Sequence, residues 1–213
     1  MEFTLEDISE AEVARRRDLY APLADTVRDL IDAVIRTEVG DDAIDDARRR
    51  IAAVVDDLRA EQIDGPYGVR YTREYTGMPW GNAVIGLRNA IAPPIRTERV
   101  PEGVRASFTL GAAYEGPGGH VHGGVCAMIL DHVLGEGASS DDVPCYTGTI
   151  TMRYLRPTPL GELTAASWIT EREGRKKIVR GTLSDAAGVT VEADGIFLVP
   201  KSWDGPMPRK SRD

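Results

Sequence analysis

The chain has 213 residues, 42% of them hydrophobic and 28% charged, an ordinary balance for a soluble protein of one medium domain and an appendage. Its net charge of −8 argues against a nucleic-acid surface, which needs a basic face. No run of about 18 apolar residues offers a membrane span, and two cysteines, Cys126 and Cys145, make no disulfide framework, so a reducing, cytoplasmic setting is expected.

The first residues, MEFTLEDISEAEVARRR, are acidic and lack an apolar stretch, so no secretory leader is expected. Residues 1–62 read as a helical extension. Leu23, Val27, Leu30, Ile31, Val34 and Ile35 share one helical face, and Gly40 ends that helix. Ile44, Ala47, Ile51, Val54, Val55 and Leu58 repeat the pattern in a second helix, so a helical hairpin is one arrangement open to this segment.

Residues 63–100 are rich in Gly, Pro and aromatics and read as a long ordered loop with short extended pieces. A strand is expected at VRASFTLGAAY, and an apolar helix from Val125 to about Leu134. Four further strand-like runs follow: CYTGTITMRYLRP, GELTAASWITERE, RKKIVRGTLSD and VTVEADGIFLV. The last two are joined by the turn Asp185–Gly188. The expected order is strand, helix, then four strands in a meander, an α+β domain over residues 63–200 with the helix covering one sheet face. Residues 201–213 are expected to be a loose tail.

The segment YEGPGGHVHGGVCAMILDHVLGEGA carries all three histidines, His120, His122 and His132. Glycines before a helix let the backbone approach a ligand. The first helical N–H groups have no internal partner and carry partial positive charge. Gly123 and Gly124 are thus placed to hold the oxygen of a polarised carbonyl. Asp131 lies two turns on, in a helix apolar nearly all round, and is expected to be buried. A buried carboxylate is costly unless paired or used, and burial makes such a group a stronger base. A plain structural aspartate bonded to a nearby hydroxyl or backbone group is the bland alternative. Gly124 and Asp131 are separated by about 10 Å along one helix. A single carbonyl does not reach both, so joint action requires two antiparallel helices from two subunits.

The stretch GPGGHVHGGVCAMILDHVLG resembles the hotdog-fold thioesterases, in particular the PaaI-like acyl-CoA thioesterase group, where H-G-G is followed by an Asp nine residues after the His. TITMRYLRPTPLGELTA and NAIAPP are similar to further strands of that family. The likeness covers roughly residues 80–200. It implies a sheet wrapped round a central helix, assembly as homodimers or dimers of dimers, and hydrolysis of acyl-CoA without a cofactor. By the same likeness Asp131 is the base or nucleophile, amides of Gly123 or Gly124 polarise the thioester carbonyl, and His122 positions carbonyl or water. Thr147 is the best match to an assisting hydroxyl, with Thr149 second. Some relatives have an Asn where Gly116 stands.

His120 and His122 could form half a metal site, but His132 points about 100° away from Asp131, and no metal is expected. His120 reads as a loop residue or substrate contact, His132 as a packing residue. Cys126 reads as a small core residue rather than a nucleophile. Arg153, Arg156, Arg175, Lys176 and Lys177 are candidates to meet CoA phosphates, Arg156 and Lys176 foremost. Met128, Met78, Trp80 and Ile91 are candidates for an acyl slot. The rival function is a non-catalytic acyl-CoA-binding hotdog module, disfavoured because a binder needs no buried carboxylate. Hydratase chemistry would need a different Asp and His arrangement on the helix.

Overall fold

The computed structural model describes residues 4–74 and 76–201. The tail expected from residue 201 therefore lies, beyond Lys201, outside the described residues. In chain order the elements are β1 (Thr4–Glu6), α1 (Glu10–Arg36), α2 (Asp41–Arg59), β2 (Arg70–Thr72), β3 (Gly77–Met78), β4 (Thr97–Val100), β5 (Gly103–Leu110), a 3-10 turn (Ala112–Tyr114), α3 (Gly123–Ala138), β6 (Tyr146–Tyr154), β7 (Gly161–Glu173), β8 (Lys176–Asp185) and β9 (Gly188–Leu198).

Helix α1 starts where the sequence supplies a cap: the Ser9 hydroxyl accepts the Glu12 N–H at 3.2 Å. Its inner face buries Val13 and Ala24. The hairpin left open by the sequence is not formed: α1 lies against the 3-10 turn, whereas α2 buries no residue. Residues 63–100 form the expected long ordered loop with short extended pieces, β2, β3 and β4. β2 pairs in parallel with β1 and antiparallel with β3, and a second small core gathers Val13, Met78 and Trp80. Arg88 stacks on Tyr20 at 3.8 Å, and Arg70 on Tyr67 at 4.2 Å.

The main sheet has the order β4-β5-β7-β8-β9-β6. The expected four-strand meander is corrected in one respect: only β7, β8 and β9 run consecutively. β6 pairs with β9 at the far edge, because the chain crosses the sheet through α3 before β6 begins. Local alternation specifies that a segment is a strand, not which strand it pairs with.

Helix α3 lies on the concave face of this sheet and buries Cys126, Ile129, Leu130, Val133, Leu134, Gly137 and Ala138. They pack with Leu110, Val179, Leu183, Val191 and Phe197 from three strands, β5, β8 and β9. Each large apolar side chain so buried stabilises by about 1.5–3 kcal/mol. The contact is close at Gly137, where a Cβ would come within 2.2 Å of the Ser167 hydroxyl oxygen. That hydroxyl donates to the Val133 carbonyl at 2.6 Å and stitches helix to sheet. At the other end of α3 the buried Lys177 ammonium donates to the Ala138 carbonyl at 2.7 Å and to Asp141 at 2.6 Å. It satisfies carbonyls that the helix terminus leaves open. Lys177 is thus a helix cap rather than one of the expected phosphate-facing cations. The architecture is α+β: a sheet wrapped round a central helix, as the hotdog resemblance implies, preceded by the helical N-terminal region read from the sequence.

Candidate active site

The site is built at the two ends of one exposed stripe of α3. His122 caps the helix: its backbone is extended (φ −60°, ψ 132°), and its Nδ1 accepts the Gly124 N–H at 3.0 Å. A neutral imidazole that accepts at Nδ1 carries its proton on Nε2. The Gly124 amide is therefore occupied. Of the two amides expected to polarise a carbonyl, only the Gly123 N–H, the first of the helix, has no acceptor among the described residues. Gly116 explains itself here: a Cβ on it would stand 2.7 Å from His122 Cα. A larger residue, such as the Asn of some relatives, does not fit this loop without moving His122.

Asp131 is exposed rather than buried, which corrects the sequence expectation. The apolar composition of α3 hid one outward face that a single chain leaves open. One carboxylate oxygen, Oδ1, accepts the Thr147 hydroxyl at 3.0 Å. Thr147 reaches it because β6 carries a bulge between Thr147 and Thr149. Thr147 pairs with Phe197, which is fully buried and faces the helix, whereas Thr149 pairs with Ile196 on the outer face. Cross-strand partners share a face. Thr147 is thus brought to Asp131, and Thr149 is turned away from it.

The other sequence candidates are dispersed. The His120 ring, in the loop before α3, donates from Nδ1 to the Gly118 carbonyl at 2.9 Å. Met128 is half-buried on α3. Met78 and Trp80 are buried in the second small core and Ile91 is exposed, so within this chain they do not converge on an acyl slot with Met128. Arg156 is clamped by Asp185, at 2.8 and 2.5 Å, and by the Gly188 carbonyl at 2.8 Å. It locks the β8–β9 hairpin, and a phosphate would have to displace that pair. Arg153 pairs with Asp194 at 3.2 Å. Lys176 is exposed at the β7–β8 turn beside Arg175. Cys126 is buried, and burial pushes its thiol up, away from thiolate chemistry. Burial lowers the His132 imidazole, whose Nε2 has no hydrogen-bond partner among the described residues. A groove of about 520 Å³ runs over β5, β7 and β8, lined by Ser107, Thr109, Glu162, Thr164 and Ser184, and none of its lining residues belongs to the α3 site.

The sequence reading missed Tyr154. It pairs with the fully buried Val191, so its ring is on the helix face of β6. Its hydroxyl donates to the Gly123 carbonyl at 2.9 Å. Alternation along Ile150, Met152 and Tyr154 was the available signal, since the first two pack against the core.

A model of the thioesterase superfamily matches residues 118–192, which run from the glycine loop through α3 into β9. A crystal structure of a thioesterase superfamily protein is 32% identical over 84% of this chain and 90% of the other, with a TM-score of 0.75. This chain belongs to the thioesterase superfamily. Two other solved structures are more distant. One is the BH2602 protein from Bacillus halodurans with CoA, 21% identical over 54% of this chain and 78% of that one, TM-score 0.47. The other is the E. coli PaaI protein from the phenylacetic acid degradation operon, 17% identical over 50% and 79%, TM-score 0.47. No curated protein matches the chain. The superfamily match spans the residues that form the α3 site, whereas α1 and α2 lie outside the family model. Among the described residues no helix is long and apolar enough to cross a membrane.

Proposed function

We propose that the chain hydrolyses acyl-CoA thioesters to the free acid and CoA. The observation that carries this reading is the exposed Asp131 carboxylate, oriented by the Thr147 hydroxyl, on the same helix as the unpartnered Gly123 N–H. With Oδ1 engaged by Thr147, Oδ2 is left to accept a proton. Asp131 takes a proton from water, and the hydroxide attacks the thioester carbon. The carbonyl oxygen becomes an oxyanion, held by a Gly123 N–H at a helix N-terminus. Collapse of the tetrahedral intermediate breaks the carbon–sulfur bond, and the CoA thiolate takes up the proton. Direct attack by Asp131, giving an anhydride that water then opens, balances equally. The Nε2–H of His122 is a second donor for the carbonyl or the water.

Gly123 and Asp131 of one chain are about 12 Å apart along the helix. The reading therefore requires a homodimer, in which the Asp131 of one subunit works beside the Gly123 of its partner; a dimer of dimers keeps the same pairs. The outer edge of β6 supports it. That strand carries the exposed Tyr146 and Tyr154, and its second edge is unpaired in the described chain. Lys176 and Arg175, exposed at the β7–β8 turn, are the cations best placed for CoA phosphates, with Arg156 less so. His120, Met128 and Thr149 remain proposed substrate contacts only if the second subunit brings them to the acyl group.

The test is free-thiol release from a panel of acyl-CoAs by wild type and Asp131→Asn in parallel. Release by wild type alone supports the reading and ranks the acyl groups. No release from any member, with acyl-CoA still bound, replaces it by an acyl-CoA-binding module.

A further inference from the structure

We propose that Tyr154 is a positioning residue for this reaction, the outer member of a hydrogen-bonded chain that holds His122 and selects which amide faces the substrate. The inference rests on the thioesterase reading above. The Tyr154 hydroxyl donates to the Gly123 carbonyl at 2.9 Å. That carbonyl belongs to the peptide whose N–H is that of Gly124, and the Gly124 N–H donates to His122 Nδ1 at 3.0 Å. Hydroxyl, peptide and imidazole are thus linked in one line. A donor on a peptide oxygen polarises that peptide and strengthens the hydrogen bond made by its own N–H. The consequence is twofold. The Gly124 amide is kept on His122 and away from substrate, so the Gly123 amide is the oxyanion donor. The imidazole is kept in the tautomer with its proton on Nε2, the nitrogen free to meet a carbonyl or a water.

Two observations separate this from ordinary packing. Tyr154 is 54% exposed, so no core contact dictates where its hydroxyl goes. Its ring also lies against the first turn of α3: a Cβ on Gly123 would meet the Tyr154 Cε1 at 3.5 Å. The ring thus forms one wall at the helix N-terminus where the carbonyl is to be bound, and its hydroxyl reaches past that wall to the Gly123 carbonyl.

The test compares Tyr154→Phe with wild type, with Asp131→Asn as the reference for lost chemistry. The Phe ring retains the wall and removes only the donor. Thiol release from the best acyl-CoA is expected to show kcat reduced about tenfold and KM within about twofold, the size of one lost hydrogen bond felt in the transition state. Nitrogen-15 spectra of histidine-labelled protein, simplified by there being three histidines, are expected to show the His122 Nε2–H tautomer in wild type and a tautomer mixture in Tyr154→Phe. Unchanged kcat together with an unchanged His122 signature overturns the proposal. A raised KM with unchanged kcat also overturns it, because the hydroxyl would then serve binding alone. If wild type releases no thiol from any acyl-CoA, the parent reading and the catalytic half of this one fall together; the nitrogen spectra then still decide whether Tyr154 holds His122.

Discussion

Helices α2 and α3 are of similar length, 19 and 16 residues, and differ in nearly everything else. α3 buries seven residues against the main sheet and is fastened at both ends, by His122 and Lys177. α2 buries none and leaves Ile44, Val54, Val55 and Leu58 open. Its visible support is local: Arg48 and Arg49 pair with Asp45, Arg49 and Arg50 with Asp46. Such pairs contribute about 0.2–0.5 kcal/mol each. A lone helix of this length is marginal in water on those terms. The contrast teaches where chemistry is affordable in this molecule. Asp131 is exposed, yet it stands on the helix that buries the most residues, whose inner face is packed on the sheet. A carboxylate on α2 has only the helix's own arginines to hold it.

The largest expected effect of breaking this comparison is on activity. Asp131→Asn should lower acyl-CoA hydrolysis by at least about a thousandfold, in line with loss of a general base or nucleophile. Asp46→Asn on α2 should leave the rate within about twofold, and the same thiol assay reads both. Next comes packing. Leu130→Ala in α3 should destabilise by about 2–5 kcal/mol through the cavity it leaves. Urea denaturation measures that cost, and a value under about 1 kcal/mol would show that α3 is not the keystone described here.

A smaller effect concerns pH. Partial burial pushes the Asp141 carboxyl up, but hydrogen bonds from Arg172 and Lys177 outweigh it, so the group lies below its ordinary value of 3.8. A depressed carboxylate stabilises fully above the unfolded value, near about 3.9, and loses that contribution as the pH falls through the folded one. The anchor at the C-terminal end of α3 should thus be intact from pH 7 to about 5 and weaken below about 4. Melting curves of wild type and Asp141→Asn should converge in acid and separate near neutrality. The smallest effect is expected from Val54→Ala on α2, within about 0.5 kcal/mol for an exposed site. A cost well above that, falling on dilution, would show that α2 covers its stripe with a second subunit.

Much of the fold is legible residue by residue. The five long strands and three helices follow from period, and GELTAASWITERE coincides with β7. The site is legible in part. His122, Asp131 and Thr147 are marked by spacing and by resemblance, and Thr147 does meet Asp131. What escaped depends on contacts between distant segments. Lys177 looks like one more cation in REGRKK, yet it is buried because its strand passes the end of α3. Met78 and Trp80 look like pocket residues, yet they close a core with Val13 from α1.

By itself the sequence determined the local elements, the glycine entrance to α3 and the His122–Asp131 interval, because periodicity and backbone freedom act over a few residues. Only the tertiary structure decided that β6 crosses to the far edge, that a bulge turns Thr147 inward and Thr149 outward, that His122 takes the Gly124 amide and that Tyr154 holds the same peptide from across the sheet. The reason is that strand pairing and hydrogen-bond partners are chosen by what the whole chain brings near. A donor already engaged by a neighbour is no longer available to a substrate.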